Sequence, residues 1–365
     1  MNILSALQRS YGCRCGRAIF FRNSHCLYCD TPLGYQPHLG KVFPLAPGPG
    51  LNTWLNSWQL AGPDVPENHR AVYRRCANAN TAAACNWLVA DEQSYCLSCR
   101  LNHTIPNMSI PENALLWGRI EDAKRRVISV LAGLGLPLTG LAFDFLRSPA
   151  YGPRVLTGHE NGLITVNIEE ADDVNRERIR TSMHEPYRTL VGHIRHEVGH
   201  YYWDRLIANT HWLDGYRALF GDERSDYNAA LQKNYRHGPE PGWSNRYVSA
   251  YASIHPWEDW AETWAHYMHM VDTLGTAMSF GIQPESIAMP FDCFETEALC
   301  DSQRPNSERF LSFLNSWLKL TAVMNELCRS MGQPDFYPFA LPRAAVTKLH
   351  FIHLVVCEAA ECSST

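Results

Sequence analysis

The stretch Arg195-His196-Glu197-Val198-Gly199-His200 decides how the rest of the chain is interpreted. It lies in a run from about Tyr187 to Ile207 that contains no Pro and repeats apolar residues at helical spacing. Residues four apart on an α-helix lie on one face, one turn above the other. His196 and His200 are therefore expected to project from the same face of a long helix, with Glu197 one step round.

The spacing His-Glu-x-x-His has a specific chemistry. Two imidazoles on one helix face can bind a single zinc ion, and the intervening Glu can take a proton from a water on that ion. The sequence therefore predicts a zinc metallopeptidase, with His196 and His200 as metal ligands and Glu197 as the general base.

A catalytic zinc site also needs a third protein ligand and an open position for water. Residues 255–262 read His-Pro-Trp-Glu-Asp-Trp-Ala-Glu, and a Pro suits the first turn of a helix that we expect to run from Trp257 to Met270. Glu258 and Glu262 share a face of that helix, and an acidic pair among aromatic residues needs a compensating charge. Spacing alone allows either Glu258 or Glu262 to be the ligand.

These segments together resemble the gluzincin group of zinc metallopeptidases, in which a Glu on a second helix completes the site. With the Cys-rich start of the chain and the segment Cys85-Asn-Trp-Leu-Val, they most resemble the bacterial zinc-binding metallopeptidases that have an N-terminal zinc-ribbon region, and the likeness covers nearly the whole chain. The arrangement Tyr251-x6-Glu258-x3-Glu262 is also similar to the catalytic domain of anthrax lethal factor. The resemblance implies that Glu258 binds zinc, that Tyr251 stabilises the oxyanion and that Glu262 supports the site without binding the metal.

Other residues near these segments receive secondary roles. His193 and His255 are expected to be packed or supporting histidines rather than ligands. Asp259 is expected to be exposed, with orientation of a ligand imidazole as the alternative. The strand predicted at Leu163–Ile168 lies just before the helix of His196, and the resemblance to gluzincins implies that this strand lines the substrate cleft.

Cysteine usage is the second informative feature. Eight of the 13 cysteines lie in the first 100 residues, as two groups of four with closely spaced pairs. The first group is Cys13, Cys15, Cys26 and Cys29, and the second group is Cys76, Cys85, Cys96 and Cys99. Four thiolates close a tetrahedral zinc shell and leave no place for a substrate. We therefore predict two structural zinc ions in tandem zinc ribbons, beside one catalytic zinc.

Disulfides and an iron–sulfur cluster are the alternatives for these cysteines. The remaining cysteines make the total odd, and the N-terminus shows no signal peptide, so a reducing, cytoplasmic location is expected. The remaining five are Cys293, Cys300, Cys328, Cys357 and Cys362. His25 and His103 lie beside the two groups but are not expected to replace a Cys.

Charge and hydropathy limit the range of partners. The formal net charge is −5, the sequence pI is about 6.3, and no run is rich in Lys or Arg, which argues against nucleic-acid binding as the main task. The sequence contains no stretch of 18 apolar residues, so no transmembrane helix is predicted. The expected partner is a peptide or protein substrate, and the ribbons offer a surface for a protein partner.

The predicted fold class is α+β, with small β ribbons before a mainly α-helical, gluzincin-like domain that contains a small sheet. The first ribbon is assigned to residues 1–43, the linker and second ribbon to 44–110, the peptidase domain to 111–345, and a tail to 346–365. Pro44–Pro49 is predicted to be a linker or turn. The apolar segment His350–Val356 is predicted to form a strand or a docked helix.

Two other functions fit the same residues. One is a zinc amidase or isopeptidase with a narrow substrate range, and the other is a ribbon-type binding or scaffold protein with an inactive peptidase half. The presence of both Glu197 and Glu258 argues against the inactive protein.

Overall fold

A computed structural model describes residues 7–48, 57–90, 93–182, 188–289 and 294–362, without the side chains of residues 179, 181 and 182. Tyr187, Cys293 and residues 1–6, which entered the predictions above, lie outside the described residues.

The N-terminal region is built from short strands around the two groups of cysteines. A two-stranded sheet pairs β1 with β2, and a five-stranded antiparallel sheet has the order β3-β4-β5-β6-β7. Its first and last strands also meet, because Tyr35 forms a bridge with Trp87. The strands are β1 Ser10–Gly12, β2 Ala18–Phe20, β3 Leu33–Gln36, β4 Lys41–Pro47, β5 Ser57–Leu60, β6 Tyr73–Arg75 and β7 Leu88–Ala90.

The linker predicted at Pro44–Pro49 is wrong for its described part, because β4 continues to Pro47. A proline in a strand lacks an N–H but keeps its carbonyl as an acceptor. The carbonyl of Pro44 accepts a hydrogen bond from the backbone N–H of Ala61 at 2.8 Å, so the residue stays within the sheet.

A second sheet belongs to the helical half and has the order β10-β11-β9-β8. β9 runs parallel to both of its neighbours, whereas β10 is antiparallel to β11 and joined to it by Asn161-Gly162. Both turn residues have positive φ, as a two-residue hairpin requires, and a Cβ at Gly162 would lie 2.3 Å from the carbonyl oxygen of Gly140. The strands are β8 Asn102–Thr104, β9 Ala142–Leu146, β10 Gly158–Glu160 and β11 Leu163–Asn167.

The described residues contain eight α-helices, and two of the long ones lie where the apolar periodicity predicts helices, around His196 and Glu258. The helices are α1 Pro111–Gly133, α2 Asp173–Ser182, α3 Leu190–Leu206, α4 Leu213–Phe220, α5 Tyr227–His237, α6 Pro256–Ser279, α7 Ser307–Ser330 and α8 Arg343–Cys362. α6 extends nine residues beyond the predicted end at Met270. The segment His350–Val356 forms the middle of α8 and is buried, so the docked-helix alternative is confirmed.

α6 is the centre of the helical half. Its large side chains, among them Trp260, Trp264 and Tyr267, are fully buried, as expected for a helix that is apolar on most faces. The fold is α+β as predicted, with a Cys-rich β region followed by a mainly helical domain with a small sheet. Within the part of the chain that the structure describes, no helix is both long and apolar enough to cross a membrane. The divisions at residues 43, 110 and 345 stay predictions.

Candidate active site

Two packed helices carry the candidate site. α3 starts at its N-cap Thr189, whose hydroxyl accepts a hydrogen bond from the N–H of Gly192. α6 starts at Pro256. The helices approach closely at Gly199, where a Cβ would lie 3.0 Å from Cα of Ala261. The Trp260 indole N–H also donates to the Gly199 carbonyl at 2.8 Å, so this glycine permits close packing of the two helices.

His196, His200 and Glu258 converge between these helices. Oε2 of Glu258 lies 3.0 Å from Nε2 of His196 and 3.7 Å from Nε2 of His200, and the two nitrogens are 3.2 Å apart. All three side chains are buried, and Oε2 of Glu258 has no hydrogen-bond partner in the structure. A buried polar atom without such a partner is rare and needs an explanation.

These separations fit a metal ion. Ligands at about 2.0–2.2 Å from a tetrahedral zinc ion are themselves about 3.3–3.6 Å apart. The three donor atoms have close to this spacing, and two imidazoles with one carboxylate are a ligand set that catalytic zinc uses. His196, His200 and Glu258 therefore fit zinc by both chemistry and spacing.

Glu262 lies on the other side of the His196 ring. Its Oε1 is 2.7 Å from Nδ1 of His196, and its Oε2 accepts a hydrogen bond from the Ser249 hydroxyl at 2.6 Å. A carboxylate in this position fixes the orientation of a ligand imidazole. The structure thus brings Glu258, rather than Glu262, to the two facing imidazole nitrogens.

The charges of this cluster oppose the effect of burial. Burial lowers the pKa of His196, but the carboxylates of Glu258 and Glu262 raise it well above its usual range. Burial also raises the pKa of Glu258, but His200 and His196 hold it well below its usual range. Burial is outweighed in the same way at Glu262, whose pKa His196 lowers to about 2. The two carboxylates of the cluster therefore favour the binding of a cation between these side chains.

Glu197 lies beside this cluster on the wall of a large cleft. The cleft has a volume of about 2210 Å³, and His196, Glu197, Tyr251 and Glu262 are among the residues that line it. Burial raises the pKa of Glu197, but contact with His193 and the charge of His196 lower it overall. Glu197 is therefore an ionised carboxylate at neutral pH.

The predicted role of β11 in the cleft needs a correction. β11 is an inner strand, paired with β10 on one side and β9 on the other, so its backbone is not available to a substrate. Within Leu163–Ile168, only Asn167 at its C-terminal end lines the cleft. The cleft lies at the carboxyl ends of the parallel strands, where Leu146 also lines it.

Two tyrosines lie close to the cluster. The ring centroid of Tyr251 is 5.8 Å from that of His196, and burial followed by the charge of Glu258 raises its pKa well above its usual range. Tyr227, on α5, donates its hydroxyl to Oε1 of Glu258 at 2.8 Å. The sequence prediction missed Tyr227, because it lies 31 residues before Glu258 and no local pattern joins them.

Three neighbours of the cluster differ from, or add to, the sequence predictions. Asp259, expected to be exposed, is fully buried because α8 covers it, and it pairs with Lys348 at 2.5 Å. His255 caps α6 by accepting from the N–H of Trp257, as a packed residue. His193 contacts Glu197 and Glu170, and only its i,i+4 spacing to Glu197 could have indicated this contact.

The two groups of cysteines each assemble in space. In the first group, the Sγ atoms of Cys13 and Cys29 are 3.7 Å apart and those of Cys15 and Cys26 are 3.8 Å apart. In the second group, the Sγ atoms of Cys85 and Cys96 are 3.6 Å apart. Four thiolates at about 2.3 Å from a tetrahedral zinc ion are about 3.8 Å apart, so both groups fit zinc.

Two parts of the chain match the models of known families. Residues 113–355 match the model of a family described as "Putative zinc-binding metallo-peptidase", and residues 10–110 match that of a zinc-ribbon domain. Similar proteins include an uncharacterized protein of Mycobacterium bovis and two of Mycobacterium tuberculosis strains. Each is 41% identical over 364 residues, which cover 96% of this chain and 96% of the relative. No solved structure matches the chain significantly.

Proposed function

The chain belongs to this zinc-binding metallopeptidase family with an N-terminal zinc ribbon, and from that premise we propose that it hydrolyses peptide or isopeptide bonds. The observation that carries the proposal is the convergence of two imidazoles and one carboxylate next to Glu197, on the wall of a cleft. Both a metal and a base are needed at one place for this chemistry, and the cleft has room for an extended peptide.

The metal would be held by His196, His200 and Glu258, which is a gluzincin-like ligand set. Zinc bound by such a set lowers the pKa of its water to about 7 and polarises the carbonyl of the substrate. Glu262 and Tyr227 would support the ligands, because they hydrogen-bond His196 and Glu258 from outside the cluster.

Glu197 would act as the general base. Its depressed pKa keeps it ionised at neutral pH, so it can take a proton from the attacking water. The same carboxyl group can then give that proton to the leaving amine. Removal of this carboxylate is therefore expected to abolish hydrolysis without removing the three metal ligands.

Tyr251 would donate a hydrogen bond to the oxyanion that forms from the scissile carbonyl. Its raised pKa keeps the phenol protonated, and its side chain lines the cleft beside His196. The hydroxyl of Tyr227 is already used by Glu258, which favours Tyr251 for contact with the substrate. In other enzymes, an oxyanion donor lowers the activation barrier by about 2.7–4 kcal/mol.

The two groups of cysteines would hold structural zinc, because four thiolates fill the coordination shell. The odd total of 13 cysteines supports the proposal of a reducing compartment such as the cytoplasm.

The test is hydrolysis of a mixed peptide library by zinc-loaded protein, analysed by mass spectrometry, with Glu197→Gln as the matched control. We expect cleavage products from the wild type and a rate lower by at least about 10³-fold in Glu197→Gln with unchanged zinc content. Cleavage of very few peptides would favour the narrow-specificity amidase. Equal product formation by both proteins, or none by the wild type, would contradict the proposal.

A further inference from the structure

His193 links two carboxylates at the edge of the candidate site. Its Nε2 lies 3.2 Å from Oε1 of Glu197, and its Nδ1 lies 2.6 Å from Oε2 of Glu170. The imidazole lies one helical turn before Glu197 on α3, so the first contact is an i,i+4 pair. All three side chains line the cleft.

The chemistry of the three groups fixes the direction of these contacts. An ionised carboxylate only accepts hydrogen bonds, so a ring between two carboxylates has to offer an N–H to each of them. His193 is thus held at both of its ring nitrogens, by a hydrogen bond with Glu170 and by an ion-pair contact with Glu197. Hydrogen bonds between charged partners are roughly twice as strong as those between neutral groups, so the ring has little freedom to rotate.

Glu170 is itself fixed by the sheet. It lies in the short 3-10 helix Ile168–Ala171 that directly follows β11, and its Oε1 accepts a hydrogen bond from the Thr157 hydroxyl at 2.5 Å. Arg188 lies 3.7 Å from its Oε2. The orientation of His193 is therefore set by an element outside α3.

We infer that His193 is a positioning residue for the catalytic base: it holds one carboxylate oxygen of Glu197 and leaves the other oxygen to take the proton from water. The inference rests on the proposed function of Glu197. Glu170, in the 3-10 helix that follows β11, thereby sets the orientation of Glu197 on the catalytic helix through His193. Enzymes depend on such fixed geometry, since small displacements of a base reduce the rate strongly.

A purely structural role makes a different prediction. If His193 only ties the turn after β11 to α3, its loss lowers stability and affects every property of the site, whether or not Glu197 is present. If it positions Glu197, its loss matters only when the Glu197 carboxylate is present. A double-mutant cycle separates these cases.

The experiment measures binding of acetohydroxamate, a small metal chelator that can also share a proton with a nearby carboxylate. Zinc-loaded wild type, His193→Ala, Glu197→Gln and the double variant are compared by calorimetry, after elemental analysis shows equal zinc content. We expect His193→Ala and Glu197→Gln each to weaken binding by about 10-fold, and the double variant by no more than either alone. His211→Ala, which removes an exposed histidine paired with Glu358, is the matched control and should bind as the wild type.

Additive losses in the double variant, or unchanged binding by His193→Ala, would overturn the inference. A lower thermal midpoint in His193→Ala with unchanged binding would assign the contact to structure alone. Neither result affects the proposed function, which fails if the wild type hydrolyses no peptide or if Glu197→Gln forms as much product as the wild type. With a cleaved peptide in hand, His193→Ala should lower kcat at constant KM, and His193→Gln, which keeps one N–H donor, should restore part of it.

Discussion

The last three cysteines of each group have the same spacing in sequence, and the Sγ distances in the two groups are similar, yet the surroundings of the groups differ. In the first group Cys15 and Cys29 are exposed, whereas all four cysteines of the second group are buried. The first group lies on the turn between β1 and β2 and on the segment between β2 and β3, while β8, which begins three residues after Cys99, pairs with β9 in the sheet of the peptidase half. A cysteine pattern thus indicates a metal site but not how strongly the rest of the fold depends on it.

The second group is continuous with the helical core. The Glu121 carboxylate on α1, which is fully buried, accepts hydrogen bonds from Asn102 and Lys124 at 2.7 and 2.8 Å. α1 also packs directly on the loop between Cys76 and Cys85, because a Cβ at Gly118 would lie 2.4 Å from the carbonyl oxygen of Ala82. Loss of the metal in this group would therefore disturb α1 and β8 together.

The first group is linked to the helical core by a buried ion pair close to it in sequence. Arg9, four residues before Cys13, forms a buried ion pair with Asp272 of α6 at 3.1 Å. Asp272 also pairs with Arg126 and Arg195, each at 2.6 Å, and Arg195 directly precedes His196. This ion cluster is a tether between the first group and the two helices of the active site.

The largest expected effect is a difference in unfolding free energy between variants of the two cysteine groups. Cys85→Ser should lower the free energy of unfolding by about 5 kcal/mol or more, because it removes a metal ligand from within the core. Cys15→Ser, the matched variant of the first group, should cost less and leave the main unfolding transition of the helical half near that of the wild type. Urea denaturation followed by tryptophan fluorescence measures both, and equal losses would refute the distinction.

The tether should show an intermediate effect. Asp272→Asn leaves three arginines without their shared carboxylate and should cost about 3–5 kcal/mol, while Arg9→Met, which leaves Asp272 two partners, should cost less. Burial raises the pKa of Asp272, but Arg9, Arg126 and Arg195 hold it well below the usual 3.8. The wild type should therefore hold this stabilisation above pH 3.8 and lose it as the pH falls further.

Unfolding curves at several pH values test the sign of that effect. The difference in stability between wild type and Asp272→Asn should be constant from pH 5 upward, at about the value above, and shrink toward acid. A difference that grows toward acid would contradict the assignment.

The smallest expected effect concerns Thr31. Its hydroxyl lies 3.1 Å from Sγ of Cys29, and with its backbone it lowers the pKa of this exposed thiol to about 6. Since zinc binds the thiolate, Thr31→Val should speed the transfer of zinc from the first cysteine group to a coloured chelator by a factor of about 2–5. The kinetic phase that comes from the second group should not change. Cys15→Ser, which lacks one ligand of the first group, identifies the phase of that group because the phase should be missing in this variant. Faster release from both groups would mean that they are coupled.

The sequence predicted those parts of the site that are local in the chain. The i,i+4 spacing of His196 and His200 needs only a helix, and the cysteine pairs need only turns. For the carboxylate ligand, only the resemblance favoured Glu258 over Glu262, and the structure brings Glu258 to the two imidazoles.

Long-range contacts could not be predicted in this way. Tyr227 and Glu170 reach the site through the tertiary fold, across 31 residues to Glu258 and 23 residues to His193. Asp259 was taken as exposed because no local pattern indicates that Lys348, 89 residues later, covers it. The inner position of β11 depends on which strands pair, which the apolar pattern of one strand does not reveal.

We propose that three side-chain clusters of different burial each bind one zinc ion, and that the cluster of His196, His200 and Glu258 is catalytic. The decisive measurement is elemental analysis of the purified wild type, Glu258→Ala and Glu262→Ala. We expect three zinc ions per chain in the wild type and in Glu262→Ala, and two in Glu258→Ala. Two zinc ions in the wild type, unchanged in Glu258→Ala, would show that the cluster of His196, His200 and Glu258 holds no metal and would refute the proposal.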